Sequence, residues 1–348
     1  MDTFFKCLLV FIPLTLISYF FGGTPLATFI LSAIAIIPLA KYIGEATEEV
    51  TLYTGPAFGG ILNATLGNIT ELIISLFAIH AGLLEVVKAS ITGSIIGNLL
   101  LVLGMGMLMG GWKFKKQSFN VTAARAHAST LLLALTALVI PAIFYFTAPA
   151  TPNSTLEALS LCVAFGMIIT YVANLMFSLH THKHLYTEDV AHIEAKWSKT
   201  RSITILAVST VFVAWMSDIL VSSLQPAIIA LGWTDLFVGV VVVAIIGNIA
   251  EHTSAITVAL KNRMDLSLQI AIGSATQMAI FVTPILVILS IFLGHPMSLV
   301  FNLFELIAIV LSIFIANSVV EDGESNWLEG LQLMVAYLII AVAFYFHP

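Results

Sequence analysis

Charge is scarce in this sequence. Only 13 Lys and Arg and 19 Asp and Glu are spread over 348 residues, and 59% of the chain is hydrophobic. A soluble domain carries about 25% charged residues. A chain with 9% cannot cover its surface with them, so much of that surface must face lipid. There is no run of basic residues and the net charge is −6, which argues against a nucleic-acid partner. The two cysteines, Cys7 and Cys162, both lie in apolar stretches and provide neither a disulfide framework nor a thiolate metal site. An H-E-x-x-H spacing is also missing; Glu251-His252 stands without it, so a membrane metalloenzyme lacks its ligand pattern. The chain reads as a non-enzyme with no cofactor. Its apolar runs are too long for barrel strands.

What is present is a series of long apolar stretches. A spanning helix needs about 20 of them in a row. Eleven segments qualify, near residues 4–21, 24–43, 57–80, 86–110, 122–147, 155–180, 202–224, 234–260, 266–293, 298–319 and 327–346. The expectation is an all-α, polytopic membrane protein of about 11 transmembrane helices. The first stretch lacks a convincing cleavage site and reads as a retained helix. Sorting the Lys and Arg residues by side places Lys6, Lys41, Lys113, Lys115, Lys116, Arg125, Lys183, Lys196, Lys199, Arg201, Lys261 and Arg263 together, with Lys88 alone opposite. By the positive-inside rule the N-terminus is cytoplasmic and the C-terminus outside. Short loops and termini suggest a plasma membrane of the bacterial type. Oligomeric state is left open, a homo-oligomer included.

The chain is internally repeated. Shifted by 180, Gly59 meets Gly239, Gly67-Asn68-Ile69 meets Gly247-Asn248-Ile249, Glu71 meets Glu251, and Gly93-Ser94 meets Gly273-Ser274. The matches are polar or small residues, a minority inside apolar helices, and the Glu-to-Ser spacing is 23 in both copies. Segments 3 and 8 carry the motif and cross in opposite directions, so the repeat is inverted. The expected organisation is one transporter domain over 1–348: an extra N-terminal helix (1–22), a first five-helix repeat (23–181), a cytoplasmic linker (182–200) and a second repeat (201–348). The linker holds His182, Lys183, His184, Glu188, Asp189 and Glu194 and reads as a solvated loop with a short amphipathic helix. Inverted repeats mark secondary transporters, whose site lies near the midplane where the halves meet.

A carboxylate at a helix centre costs about 2.5–3.5 kcal/mol on insertion scales, and no Lys or Arg sits at that depth to pair with Glu71 or Glu251. Asn68 and Asn248 lie three residues before them, on the same helical face. Gly67 and Gly247 allow close approach and local unwinding, which is tolerated at membrane depth where it lines a site. Segments 4 and 9 add Ser94 and Asn98, and Ser274, Thr276 and Gln277. A set of carboxylate, amide and hydroxyl oxygens suits a hard cation such as Ca²⁺. The same carboxylates accept protons as a coupled pair, so one site has two mutually exclusive occupants.

At these residues the sequence resembles the Ca²⁺/H⁺ antiporter family (cation/proton exchangers) of the cation/Ca²⁺ exchanger superfamily. The stretches that carry the likeness are Gly60 to Ile73, with Asn63-Ala64-Thr65-Leu66-Gly67-Asn68-Ile69-Thr70-Glu71; Gly247-Asn248-Ile249-Ala250-Glu251-His252; Ser94 with Asn98 to Gly104; and Ile272-Gly273-Ser274 with Gln277. The resemblance implies Ca²⁺ export driven by the proton gradient, with segments 2 and 7 sliding as gates. It implies that Glu71 and Glu251 hold the ions, that Asn68, Asn248, Ser94, Ser274 and Gln277 are cation ligands, and that His252 and Asn98 support them or pass protons. Asp218, a further acid in segment 7, is a candidate for proton coupling, its counterpart falling within Glu45-Ala46-Thr47-Glu48-Glu49. Glu305 reads better as a cap. The rival reading is Na⁺/Ca²⁺ exchange or antiport of another divalent cation; sodium exchangers usually carry proline before the motif glutamate, where this chain has Thr70 and Ala250. A receptor or structural role leaves two symmetric buried acids without a purpose.

Overall fold

The computed structural model describes residues 3–54, 56–181 and 195–347. Its helices follow the apolar segments in order: α1 Thr3–Phe20 and α2 Pro25–Thr54, α3 Pro56–Leu66, α4 Ile69–His80, α5 Leu84–Phe114, α6 Val121–Thr147, α7 Asn153–Thr181, α8 Lys199–Leu231, α9 Asp235–Gly247 and α10 Ile249–Ala259, α11 Met264–Phe292, α12 Leu303–Val319 and α13 Trp327–Phe346. Eight of these are long and apolar enough to cross a membrane, and a ninth span results from taking α9 and α10 together across their 60° bend. The shorter apolar helices α4 and α12 account for the remaining two segments. This is a multi-pass membrane protein. Among the described residues the strand content is two residues on each side, Gln117–Ser118 (β1) paired antiparallel with Glu324–Ser325 (β2). That small ladder ties together two loops at the Lys- and Arg-rich end.

The apolar interior is split in two. One cluster joins α5, α6, α7, α11, α12 and α13 around Ile95, Leu99, Leu103, Ile280, Ile309 and Phe344. The other is built mainly by α2 and α8, with Phe29, Ile36, Ile43, Met216, Leu220 and Leu224, and touches the first helices' motif region through Ile74, Val243 and Ile246. Segments 2 and 7 therefore form a body of their own laid against the remaining helices. Apolar side chains without hydrogen bonds allow such a contact to slide at little directional cost.

Segments 3 and 8 are each interrupted at the repeated motif. Gly67-Asn68 separates α3 from α4, and Asn248 separates α9 from α10 with φ −91° and ψ 11°, outside the helical range. The local unwinding expected from the glycine-asparagine pairs is thus present in both copies. At Asn98 in α5 and just after Gln277 in α11, the helices widen into π-helical turns, Gly97–Val102 and Met278–Val282, a feature that often accompanies functional positions. The amphipathic helix expected in the linker falls on residues 182–194 and, with His182, His184, Glu188, Asp189 and Glu194, lies outside the described residues. Where the chain is described again, Ser198 caps α8 by accepting from the Arg201 amide at 3.4 Å, and the Trp197 amide donates to Glu49 Oε2 at 3.1 Å.

Candidate cation and proton site

The breaks place both carboxylates in the first turn of a helix, Glu71 in α4 and Glu251 in α10. Free amides and the helix dipole favour negative charge there. Each glutamate also lies against the glycine of the other repeat. A methyl group at Gly247 would sit 2.8 Å from Glu71 Cγ and 3.3 Å from its Oε1. A methyl group at Gly67 would come within 3.9 Å of Glu251 Oε1 and 4.0 Å of Gln277 Oε1. Packing across the axis is what an inverted repeat delivers, and it leaves no room for a side chain at Gly247; at Gly67 the Glu251 contact is an ordinary one and the close neighbour is the Asn63 carbonyl oxygen of its own helix, 2.8 Å away.

Around the carboxylates runs one hydrogen-bonded chain. Asn68 Nδ2 donates to Gln277 Oε1 at 2.9 Å, and Ser274 Oγ donates to Asn68 Oδ1 at 3.2 Å. Asn98 Nδ2 donates both to Ser274 Oγ at 3.1 Å and to Asn248 Oδ1 at 3.0 Å. Asn248 Nδ2 donates to Ser94 Oγ at 2.8 Å. The pairs Asn68–Ser274 and Asn248–Ser94 are repeat mates of each other, and Asn98 links them across the axis. The carboxylates are left out of this chain: both oxygens of Glu71, Oε2 of Glu251 and Oδ1 of Asn98 are buried without a hydrogen-bond partner. In a low-dielectric interior, unsatisfied carboxylate oxygens are costly unless a cation or a proton meets them. Among the described residues no three His, Cys, Asp or Glu side chains converge on one point. A cation here must complete its shell with amide, hydroxyl or backbone oxygens, as a hard ion does.

Seven of the sequence-derived ligand candidates, Glu71, Glu251, Asn68, Asn248, Ser94, Ser274 and Gln277, are brought together, and Asn98 joins them at the centre. In this conformation the five neutral groups bond to one another as well as surrounding the acids. His252 is buried beside Glu251 but is not among the residues lining the cavity below Glu251. Asp218 is not brought to the site: it is exposed on the outward side of α8, while its neighbours Ser217 and Ile219 are buried. Glu305 caps α12, accepting from the Asn302 amide at 2.8 Å and from Thr92 Oγ1 at 3.0 Å.

Access comes from one end. A cavity of about 370 Å³ reaches Asn68, Glu251, Ser274 and Gln277. It shares Gly44, Glu48, Ala250, Ser254, Leu266 and Ile270 with a wider chamber of about 500 Å³ bordered by Lys41, Glu45, Glu49, Lys196 and Lys261. The two form a vestibule that opens toward the Lys- and Arg-rich end. Glu48, where the chambers meet, is exposed to that space. Thr47 Oγ1 beside it is buried without a hydrogen-bond partner and lines the inner chamber. From sequence, Glu45, Glu48 and Glu49 stand only as counterparts of Asp218; the signal for a vestibule is three acids in five residues at the end of an otherwise apolar helix.

At the opposite end α5 and α9 pack backbone against backbone. A methyl group at Gly93 would lie 2.0 Å from the Val240 carbonyl oxygen, and one at Gly239 2.4 Å from Ala89 Cβ. Gly273, the repeat mate of Gly93, has nothing within 4 Å of that position. The two halves share a sequence pattern and differ in packing, as a molecule open on one side must.

The family model described as sodium/calcium exchanger protein matches the chain twice, over residues 24–179 and 201–346. A Ca²⁺/H⁺ antiporter of Aphanothece halophytica is 46% identical over 365 residues, covering 100% of this chain and 97% of that protein. The Ca²⁺/H⁺ antiporter ChaA of Bacillus subtilis (strain 168) is 42% identical, covering 98% of both. The solved structure of native YfkE superposes with a TM-score of 0.87 at 40% identity, covering 99% of each chain.

Proposed function

The chain belongs to the sodium/calcium exchanger protein family, and from that premise we propose that it is a secondary transporter exchanging Ca²⁺ for H⁺ by alternating access. The observation that carries this reading is the pair of carboxylates, three of whose four oxygens are buried with no hydrogen-bond partner, set in a shell of neutral oxygen groups. Relatives at 42–46% identity over the full chain bear the name Ca²⁺/H⁺ antiporter, which favours protons over sodium as the counter-ion. Thr70 and Ala250 in place of proline agree with that choice.

The cycle follows from charge balance. Glu71 and Glu251 in an apolar setting tolerate a divalent cation between them or protons on them, and the attraction that holds either excludes the other. Ca²⁺ enters by the vestibule past Glu48, displaces protons, and takes Glu71, Glu251 and neighbouring oxygens as ligands. Asn98 and the asparagine–serine pairs hold the two motifs in register. The α2–α8 body then shifts against the remaining helices, closing Gly273 and opening Gly93. On the far side protons replace Ca²⁺ and the neutralised site returns. With the Lys- and Arg-rich end in the cytoplasm of a plasma membrane, the inward proton gradient drives Ca²⁺ out.

The test is transport by the purified protein in liposomes with an imposed pH gradient and no Na⁺. Ca²⁺ accumulation that collapses with the pH gradient supports the assignment. Accumulation that requires Na⁺ defeats it.

A further inference from the structure

A second polar cavity, of about 170 Å³, lies between α3, α7 and α11, on the other side of α3 and α11 from the vestibule. Asn63, Gly273 and Gln277 line both spaces, so the two adjoin at these residues. The rest of the lining includes Tyr171, Asn174, Ser178 and Thr276. The Tyr171 ring is held against Phe281, centroids 4.5 Å apart, with its hydroxyl buried and without a hydrogen-bond partner of normal geometry, the Thr65 side chain beside it. The space is large enough for several water molecules and polar enough to hold them. Its lining has no carboxylate, Lys or Arg among the described residues, in contrast to the vestibule with Glu45, Glu48, Glu49 and three lysines.

That contrast sorts the two ions. The cost of a bare ion in a weakly polar cavity grows with the square of its charge, and Ca²⁺ needs six to eight oxygens around it. A cavity lined only by neutral groups does not offset the charge of a divalent ion, so the acid-lined vestibule is the favoured entry for it. A proton needs only a file of water and hydroxyl groups. The file ends at the right place: Gln277 Oε1 is bonded to Asn68 at 2.9 Å and converges with Glu251 Oε1 on Gly67.

The geometry points to this second cavity as a water-filled proton route to the carboxylate pair, separate from the acidic vestibule that admits the cation. The inference rests on the Ca²⁺/H⁺ exchange reading. Tyr171 and Asn174 order the water file, and Gln277 is the gatepost between the two routes. During the half-cycle in which Ca²⁺ occupies the vestibule, protons leave by the other path, so the two ions need not pass each other in one channel.

The test fills the cavity without touching the carboxylates or their hydrogen-bonded chain. The double variant Asn174→Leu, Ser178→Leu is reconstituted in liposomes and two fluxes are read: radiolabelled Ca²⁺/Ca²⁺ self-exchange at equal pH on both sides, and net Ca²⁺ uptake driven by a pH gradient. The expected result is pH-driven uptake reduced by about tenfold or more, as for loss of a proton-transfer group, with self-exchange within about twofold of the parent. Tyr171→Phe, which keeps the ring stacking and removes only the hydroxyl, slows pH-driven uptake in the same selective way. Equal loss of both fluxes, or no change in either for both variants, overturns the separate route. A parent chain that shows self-exchange but no pH-driven uptake removes the exchange reading itself, and this inference with it.

Discussion

A buried carboxylate is stable only with something to neutralise it. Glu71 and Glu251 have no basic partner among the described residues, and three of their four oxygens are buried and unbonded. Neutral interhelical hydrogen bonds contribute on average only about 0.6 kcal/mol each in a membrane. The asparagine–serine chain therefore positions the acids but does not compensate them. Replacing either acid with glutamine removes a charge and should leave the fold intact: Glu71→Gln and Glu251→Gln should each abolish pH-driven Ca²⁺ uptake while the thermal midpoint stays level or rises. Gly247→Ala tests the packing across the axis. Its methyl would sit 2.8 Å from Glu71 Cγ, an overpacking of about 1–3 kcal/mol that the side chain relieves by moving. Weaker Ca²⁺ binding with normal expression is the expected outcome, measured by titration calorimetry. At this scale the sequence was informative because polar residues are rare in it. Glu71, Glu251 and their 3- and 23-residue partners stood out from an apolar background. Asp218 stood out for the same reason and lies elsewhere, since an isolated acid in an apolar helix does not reveal which face of that helix turns inward. Tyr171 carried no signal, because its role depends on a cavity between three helices.

Elements explain how one site is reached from two sides. The halves repeat in sequence, yet Gly93 is packed against the Val240 backbone while Gly273 faces open space. Alternation exchanges those two environments. Alanine at the two positions should then separate stability from turnover. Gly93→Ala collides with a carbonyl 2.0 Å away and lowers the thermal midpoint in detergent. Gly273→Ala has no neighbour within 4 Å, so it leaves the midpoint unchanged and slows transport, because its methyl obstructs the closure that follows Ca²⁺ loading. If Gly273→Ala transports at the parent rate, that closure does not bring α11 against the facing helix. All eleven segments were legible from hydropathy. The interruption at Asn248 was anticipated from Gly247-Asn248, but the 60° bend was not, since its angle depends on how α10 packs against α2 and α11. Division of the core into an α2–α8 body and the rest was not readable from hydropathy, because both bodies are apolar and differ only in which faces meet.

For the molecule as a whole, the asymmetry of charge sets direction. Lys41, Lys196 and Lys261 ring the vestibule mouth together with Glu45 and Glu49. Lys88, at the other end and the one Lys or Arg there among the described residues, pairs with Glu85 at 3.0 Å. On a background with Cys7 and Cys162 replaced by serine, Lys261→Cys should react with an impermeant thiol reagent only from the cytoplasmic face, and His295→Cys only from the external face. The reverse pattern would invert the proposed direction of transport. The central claim, however, concerns occupancy: protons and Ca²⁺ share one pair of carboxylates and cannot be present together. The most direct measurement is proton release when Ca²⁺ is added to the purified protein in weakly buffered detergent solution near neutral pH. The account predicts a saturable acidification that tracks Ca²⁺ binding and disappears in Glu71→Gln and in Glu251→Gln. Saturable Ca²⁺ binding with no proton release, or release that persists in both variants, would contradict it.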